Sequence, residues 1–289
     1  MRNRKGVTKA EMQTKITNHV IDGLEKGVAP WIREWSDDGT SNPLVRSPRN
    51  GKSQRPYSGV NWLILGMLSP YKSNEWFTKN QIIDMMDVDE PIPYEEYKKG
   101  TQIIFYTDWD FKDKHGVDQT RPVMRVYTVW NREQIPGLPE TIRTTKFDPK
   151  STIDEMLNNL NLKGGVNQGG DQACYVPSQD AVMIPNDDAF DTPVAAVSVK
   201  AHEGCHATGA EHRLNRKLEQ DTKAYAYEEL VAELGSAMVC ASLGIPLDKL
   251  RHTDYIGAWL ERLKNDKTYV FSAAADASKA MKYLMKEVA

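Results

Sequence analysis

The 289-residue sequence has only three cysteines, Cys174, Cys205 and Cys240, and they lie far apart. An odd, scattered set excludes a disulfide framework and suits a reducing cytoplasm. Long apolar runs are missing too. None approaches the roughly 18 residues of a membrane span, and the first thirty residues lack the apolar middle of a secretory signal. The expectation is a cytoplasmic chain with no membrane partner. No internal repeat is visible. Tryptophan is nearly absent from the second half, since six of the seven precede residue 131. What is present in quantity is apolar residue content, 40% of the chain. That supports a packed core and excludes global disorder.

The net charge of −3 conceals an asymmetry. Residues 1–80 hold thirteen Lys and Arg against seven Asp and Glu, whereas residues 81–140 hold seven against twelve. Residues 141–289 are also mildly acidic, seventeen against twenty-one. A basic, aromatic start joined to an acidic remainder suggests two jobs. Nucleic acid is the first partner to consider for the basic part.

Periodicity places a helix over residues 8–26, with Met12, Ile16, Val20 and Leu24 at helical spacing and Gly27 as the stop. From residue 28 to about 59 the chain is rich in Gly, Pro, Ser, Asn and Arg and reads as a long loop. Loops of that length are functional or disordered; Trp31, Trp35, Tyr57 and Trp62 favour function. A short helix follows at 60–68, and another at 78–86. TQIIFYTDWDF and RPVMRVYTVWN read as an antiparallel pair across DKHGVDQT. IPGLPETIRTTKFDPK reads as an inter-domain connection, and Ser151 as the N-cap of a helix to Leu160, with Asp154 three residues on. CYVP and AVMIP read as two strands joined by a turn. Helices are then expected at 193–208, 223–243, 253–265 and 268–287. The class is α+β, in two domains: residues 1–140, a small α/β unit, and 141–289, mostly helical.

The strongest chemical signal is AHEGCHATGAEHRL. Thr192 can cap its helix, Pro193 suits the first turn and Gly209 can end it. His202 and His206 stand at i and i+4, so both rings project from one face and can share a metal ion. Glu203 sits beside that ion, where a carboxylate can act as general base. Two histidines need a third ligand. AYAYEELVAELGSAMVCASLGI is apolar on nearly all sides, which implies burial. Glu229 and Glu233 lie at i and i+4 on it, and buried acids are costly unless paired or metal-bound. Glu229 is therefore the preferred third ligand. Glu233 is a candidate acceptor for a ligand histidine's other N–H, and Glu228, about 100° away around the helix, is expected to face solvent. A competing reading makes His212 the third ligand, because HEGCHATGAEH fits the extended three-His pattern. It would leave the two acids unexplained. Cys205 reads as a small core residue, and His19, His115 and His252 as structural or surface groups. Zn2+ is the default ion; Mn2+ or another divalent ion could take its place.

In the basic part, Arg33, Arg46, Arg49, Lys52 and Arg55 lie close in sequence to Trp31, Trp35, Tyr57, Asn61 and Trp62. Single-strand binders use this mixture, with cations on phosphates and rings on bases. The same composition also suits a small core with solvated arginines, and the residues alone leave both readings open.

The ordered set of segments resembles the ArdC-type antirestriction proteins of conjugative plasmids. It comprises GVAPWIREW, RSPRNGKSQRPYSGVNWLIL, EWFTKNQI, KKGTQIIFY, VYTVWNREQIPGLP, HEGCHATGAEHRLNR, YAYEELVAELGSAMVCASLGI and DYIGAWLERLKNDKTYVFSAAADASKAMKYL. It covers nearly the whole chain. The resemblance implies an N-terminal domain that binds single-stranded DNA and a C-terminal zincin-like metallopeptidase domain. It further implies His202, His206 and Glu229 as ligands and Glu203 as catalytic acid/base. The implied function is protection of incoming plasmid DNA from restriction in a bacterial cytoplasm. The partners would be single-stranded DNA and a restriction-enzyme subunit or other DNA-bound protein. Two rivals remain: a non-catalytic coating or blocking protein with a structural metal, and a plasmid replication accessory.

Overall fold

A computed structural model of the chain describes residues 8–27, 31, 47–66, 69–139, 148–216, 222–245 and 255–286. Helix α1 (Lys9–Glu25) begins at a reciprocal capping box. The Thr8 hydroxyl accepts the Glu11 N–H at 3.2 Å, while the Glu11 carboxylate accepts the Thr8 N–H at 2.7 Å. Gly27 follows the helix in the left-handed region, at φ +72°. The apolar stripe of α1 serves two cores. Met12 and Ile16 pack on a four-stranded sheet, and Val20 and Leu24 on the C-terminal helices.

That sheet has the order β1 (Arg49–Asn50), β2 (Glu75–Thr78), β4 (Asp118–Asn131), β3 (Thr101–Lys112). Strand β1 runs parallel to β2, and the other pairs are antiparallel. The 101–131 hairpin lies where the sequence placed it. The first two strands fall in segments that read as loop or carried no strand signal, because they are two and four residues long. Strand β2 has no alternation to detect, since it is buried on both faces. Trp76 joins the core under α1, and Phe77 joins a separate cluster with Ile82, Trp130 and Ile135. Helices α2 (Val60–Gly66), α3 (Lys79–Met86) and the single turn α4 (Tyr94–Tyr97) complete this half.

Helix α5 (Pro149–Asn159) is capped by Asp148, whose carboxylate accepts the Ser151 N–H at 3.2 Å, with Pro149 in its first turn. The cap is thus three residues earlier than Ser151, because a side-chain acceptor followed by proline is the stronger start signal. A three-stranded sheet follows, ordered β5 (Gly165–Gln168), β7 (Ala181–Ile184), β6 (Cys174–Val176). The β6–β7 hairpin is as expected. Strand β5 was not: GVNQ has one apolar residue and is held by parallel pairing to the buried β7. Helices α6 (Pro193–Thr208), α7 (Thr222–Ser242), α8 (Ile256–Asn265) and α9 (Tyr269–Leu284) form the remainder.

Helices α6 and α7 are buried almost all round and approach closely. A Cβ on Gly235 would stand 2.6 Å from Cys205 Sγ, so this glycine sets the spacing of the two helices. The sequence halves share one core, since Trp31, Trp62 and Leu63 pack with Trp259, Val270 and Ala274. Among the described residues no helix is long and apolar enough to cross a membrane.

Candidate metal centre

Thr192 starts α6 as expected, its hydroxyl accepting the Ala195 N–H at 3.1 Å, and Gly209 ends it. One helical turn places His202 and His206 with ring centroids 4.7 Å apart and their Nε2 atoms 3.0 Å apart. Helix α7 brings Glu229 to the same point. Its Oε2 lies 3.5 Å from His202 Nε2 and its Oε1 3.5 Å from His206 Nε2. All three residues are buried, and one ligand atom from each lies within 4.8 Å of the others. Tetrahedral ligands about 2.0–2.1 Å from a zinc ion stand roughly 3.3 Å from one another. Both Nε2 atoms and the two oxygens of the Glu229 carboxylate thus face one another at separations close to that value.

The electrostatics point the same way. Burial pushes His202 below the usual imidazole value. Burial opposes charge on His206 too, but the Glu228 and Glu229 carboxylates outweigh it and lift the group to about 10. Burial disfavours the Glu229 carboxylate, yet the two imidazoles hold it well below the usual carboxylate range.

Glu228 is not solvent-facing. It is buried, with Oε1 3.3 Å from His206 Nδ1 and a bidentate pair to Arg216 at 2.8 and 2.9 Å. From Glu228 to Cys240 every residue of α7 is buried, so turning 100° from Glu229 leads to the end of α6 and not to solvent. Arg216 also donates to Thr208 Oγ1 at 3.0 Å and to the Cys205 carbonyl at 2.7 Å, which satisfies the C-terminal turn of α6. The signal for this pair was present in the sequence: a buried acid beside a basic residue just past the motif. Glu233 is buried one turn beyond Glu229.

Glu203 projects beside the pair, and its Oε2 accepts the Tyr175 backbone N–H at 2.8 Å. Strand β6 thereby fixes that carboxylate. The Tyr175 hydroxyl donates to Asp180 at 2.9 Å, and Asp180 forms a bidentate pair with Arg213 at 2.8 and 3.0 Å. His212 lies 3.3 Å from Asp180 and is half exposed, away from the imidazole pair. The three-His arrangement is therefore not formed. Tyr225 and Cys174 line the small cavity above the site, about 160 Å³ in volume.

Residues 151–276 match the family model of zincin-like metallopeptidases, and residues 10–130 match that of the N-terminal domain of the anti-restriction factor ArdC. The fold is similar to the metal-free crystal structure of the antirestriction ArdC protein from plasmid R388. The TM-score is 0.77 at 27% identity, covering 96% of this chain and 97% of that one. This chain belongs to the ArdC family. The Mn(II)-bound structure of the R388 protein gives a TM-score of 0.72 at 26% identity, over 96% and 98% of the two chains. Among curated proteins, y4eC of Sinorhizobium fredii (strain NBRC 101917 / NGR234) is 32% identical, over 93% of this chain and 90% of its own length. Two Escherichia coli DNA primases TraC are 30% and 29% identical over 93% and 96% of this chain. The matched segment spans only 19% and 27% of their lengths.

The N-terminal candidates fare differently from the metal centre. Trp31 is buried edge-on against Trp259, and Tyr57 is buried under the sheet. Asn61 clamps β3, donating to the Ile104 carbonyl at 2.6 Å and accepting its N–H at 2.9 Å. These three are core residues and cannot stack on or contact a strand in this conformation. Aromatic residues beside arginines read alike in composition whether they pack or stack; burial decides. Arg49 is half-buried on β1, Lys52 pairs with Asp84, and Arg55 is exposed. Arg33, Trp35 and Arg46 lie outside the described residues.

Proposed function

We propose that this ArdC-family chain protects incoming plasmid DNA from host restriction in the bacterial cytoplasm. In this reading it binds single-stranded DNA with its N-terminal half and acts on protein, such as a restriction subunit or other DNA-bound protein, with its C-terminal half. The observation that carries the second part is the convergence of two imidazoles from α6 and one carboxylate from α7, with a tethered glutamate beside them. His202, His206 and Glu229 are assigned as ligands. Zn2+ is the default ion; Mn2+ is the alternative, since the R388 protein has an Mn(II)-bound crystal structure. A divalent ion held there would polarise a peptide carbonyl and make a water acidic near neutral pH. Glu203 is placed to act as the general base and acid: it would take a proton from the attacking water and pass it to the departing amine. The Tyr175 N–H keeps the Glu203 carboxylate aimed during both transfers. Glu228 accepts the Nδ1–H of His206 and fixes its tautomer, and Glu233 is assigned the same duty for His202. DNA bound by the first half raises the effective concentration of proteins carried on that DNA.

The test is Glu203→Gln. Plasmid establishment is scored in restricting and non-restricting recipients, with metal content measured on the purified variant. Loss of protection with metal retained supports hydrolysis. The small cavity favours a second reading, since ligand pockets are usually 300–1,000 Å³: the ion would be structural and the protein a blocker. Full protection by Glu203→Gln selects that reading. The TraC likeness favours a third, a replication accessory, which predicts equal benefit in both recipients.

A further inference from the structure

The outer part of the β3–β4 hairpin extends past β2, and its two faces differ in chemistry. Residues paired across antiparallel strands share a face, and successive residues alternate. One face carries the pairs Phe105–Arg125, Thr107–Val123, Trp109–Arg121 and Phe111–Gln119, with Tyr127 at its base. The other carries Tyr106–Met124, Asp108–Pro122, Asp110–Thr120 and Lys112–Asp118. All three strand aspartates therefore lie on one side. Both arginines and four of the five aromatic rings lie on the other.

The rings on the arginine side are open to solvent: Phe105 at 42%, Trp109 at 47% and Tyr127 at 43%. They are also arranged. Trp109 and Phe111 have centroids 5.6 Å apart, and the Arg121 guanidinium lies 4.8 and 5.3 Å from the two rings. Phe105 and Tyr127 meet edge-on at 5.6 Å. Among the described residues no carboxylate pairs with Arg121 or Arg125. Lys98 and Lys99, just before β3, are different, because they already face Glu95 and Glu96. An exposed apolar patch of this kind marks an interaction surface. Arginines free of acids select a polyanion, and open ring faces select one whose own flat groups are unstacked.

We propose that Phe105, Trp109, Phe111 and Tyr127, with Arg121 and Arg125, form a stacking platform for single-stranded nucleic acid on the β3–β4 arm. The proposal rests on the DNA-binding reading above and gives it a location, since Trp31, Tyr57 and Asn61 are buried. Bases stack on the rings, the arginines follow the phosphates, and the aspartate face turns the strand away from the other side of the arm.

The test uses the full chain and a fluorescein-labelled oligothymidine, followed by anisotropy at fixed salt. Trp109→Ala should weaken binding about tenfold or more. Arg121→Ala should weaken it and lower the salt slope by about one ion. Asp110→Ala, on the opposite face, should leave affinity unchanged or tighten it. Trp109→Phe keeps a ring and should bind normally while losing much of the tryptophan quench that binding produces. If the natural chain binds but Trp109→Ala and Arg121→Ala bind equally well, the arm is not the site. The DNA-binding reading then stands, and a protein partner becomes the arm's occupant. If the natural chain fails to bind the oligomer, or prefers a duplex, both are overturned.

Discussion

Glu228→Ala tests the electrostatic frame of the metal centre. Glu228 is buried between Arg216 and His206, and the Arg216 side chain is only 9% exposed. Removing one partner of a buried pair costs about 3–5 kcal/mol. Arg216 keeps its bonds to Thr208 and Cys205, so the lower end, about 3 kcal/mol, is expected. At roughly 2–4 °C per kcal/mol, the melting temperature should fall by about 6–12 °C. His206 also loses its Nδ1 partner, which should weaken metal binding by about 10–100-fold. Thermal unfolding of the metal-free chain reads the first effect, and a Zn2+ or Mn2+ titration reads the second. Adding Arg216→Ala should cost less than the sum of the single changes, by about 1 kcal/mol or more. A variant that melts within about 2 °C of the natural chain and binds metal equally well would refute the reasoning.

Gly235→Ala places a methyl group against Cys205 Sγ. It should destabilise by about 1–3 kcal/mol despite the better helix propensity of alanine, and should weaken metal affinity by spreading α6 from α7; a thermal melt and a titration check both. Asp180→Asn should destabilise by about 3 kcal/mol through the buried Arg213, measured by denaturant unfolding. Burial raises the Asp180 carboxyl, but the Arg213 pair and the Lys163 and Tyr175 hydrogen bonds outweigh it and depress the group. Its stabilisation is thus complete above the unfolded value of about 3.9 and is lost as pH falls below it. The natural chain should lose more stability than Asp180→Asn between pH 4 and lower values, read from melts at each pH. Because His206 holds its proton to about 10, metal uptake at pH 8 should release about one proton. Calorimetry in buffers of different ionisation enthalpy measures that release.

The helical half was legible because α6 and α7 are long and their chemistry is local. The spacing of His202 and His206 fixes a shared face, and Glu229 stands out as an acid on an apolar helix. The same logic applied to Glu228 would have placed it correctly, since α7 is buried continuously from Glu228 to Cys240 and a charge there needs a partner. Strands β1, β2 and β5 were illegible for a different reason. They are too short to alternate and are held by neighbours distant in sequence. In the basic N-terminal part the residues alone left the packing and stacking readings open, and burial separates them. Trp31, Tyr57 and Asn61 are spent on packing and on clamping β3, while the exposed rings lie on a hairpin whose strands were recognised but whose faces were not separated.

The central claim is that His202, His206 and Glu229 grip one cation. Calorimetric titration of the metal-free chain with Zn2+ and with Mn2+, alongside His202→Ala and Glu229→Gln, tests it most directly. The account predicts one tightly held ion per natural chain and an affinity lower by about a hundredfold or more in each variant. Stoichiometry well below one, or equal binding by all three proteins, would contradict it.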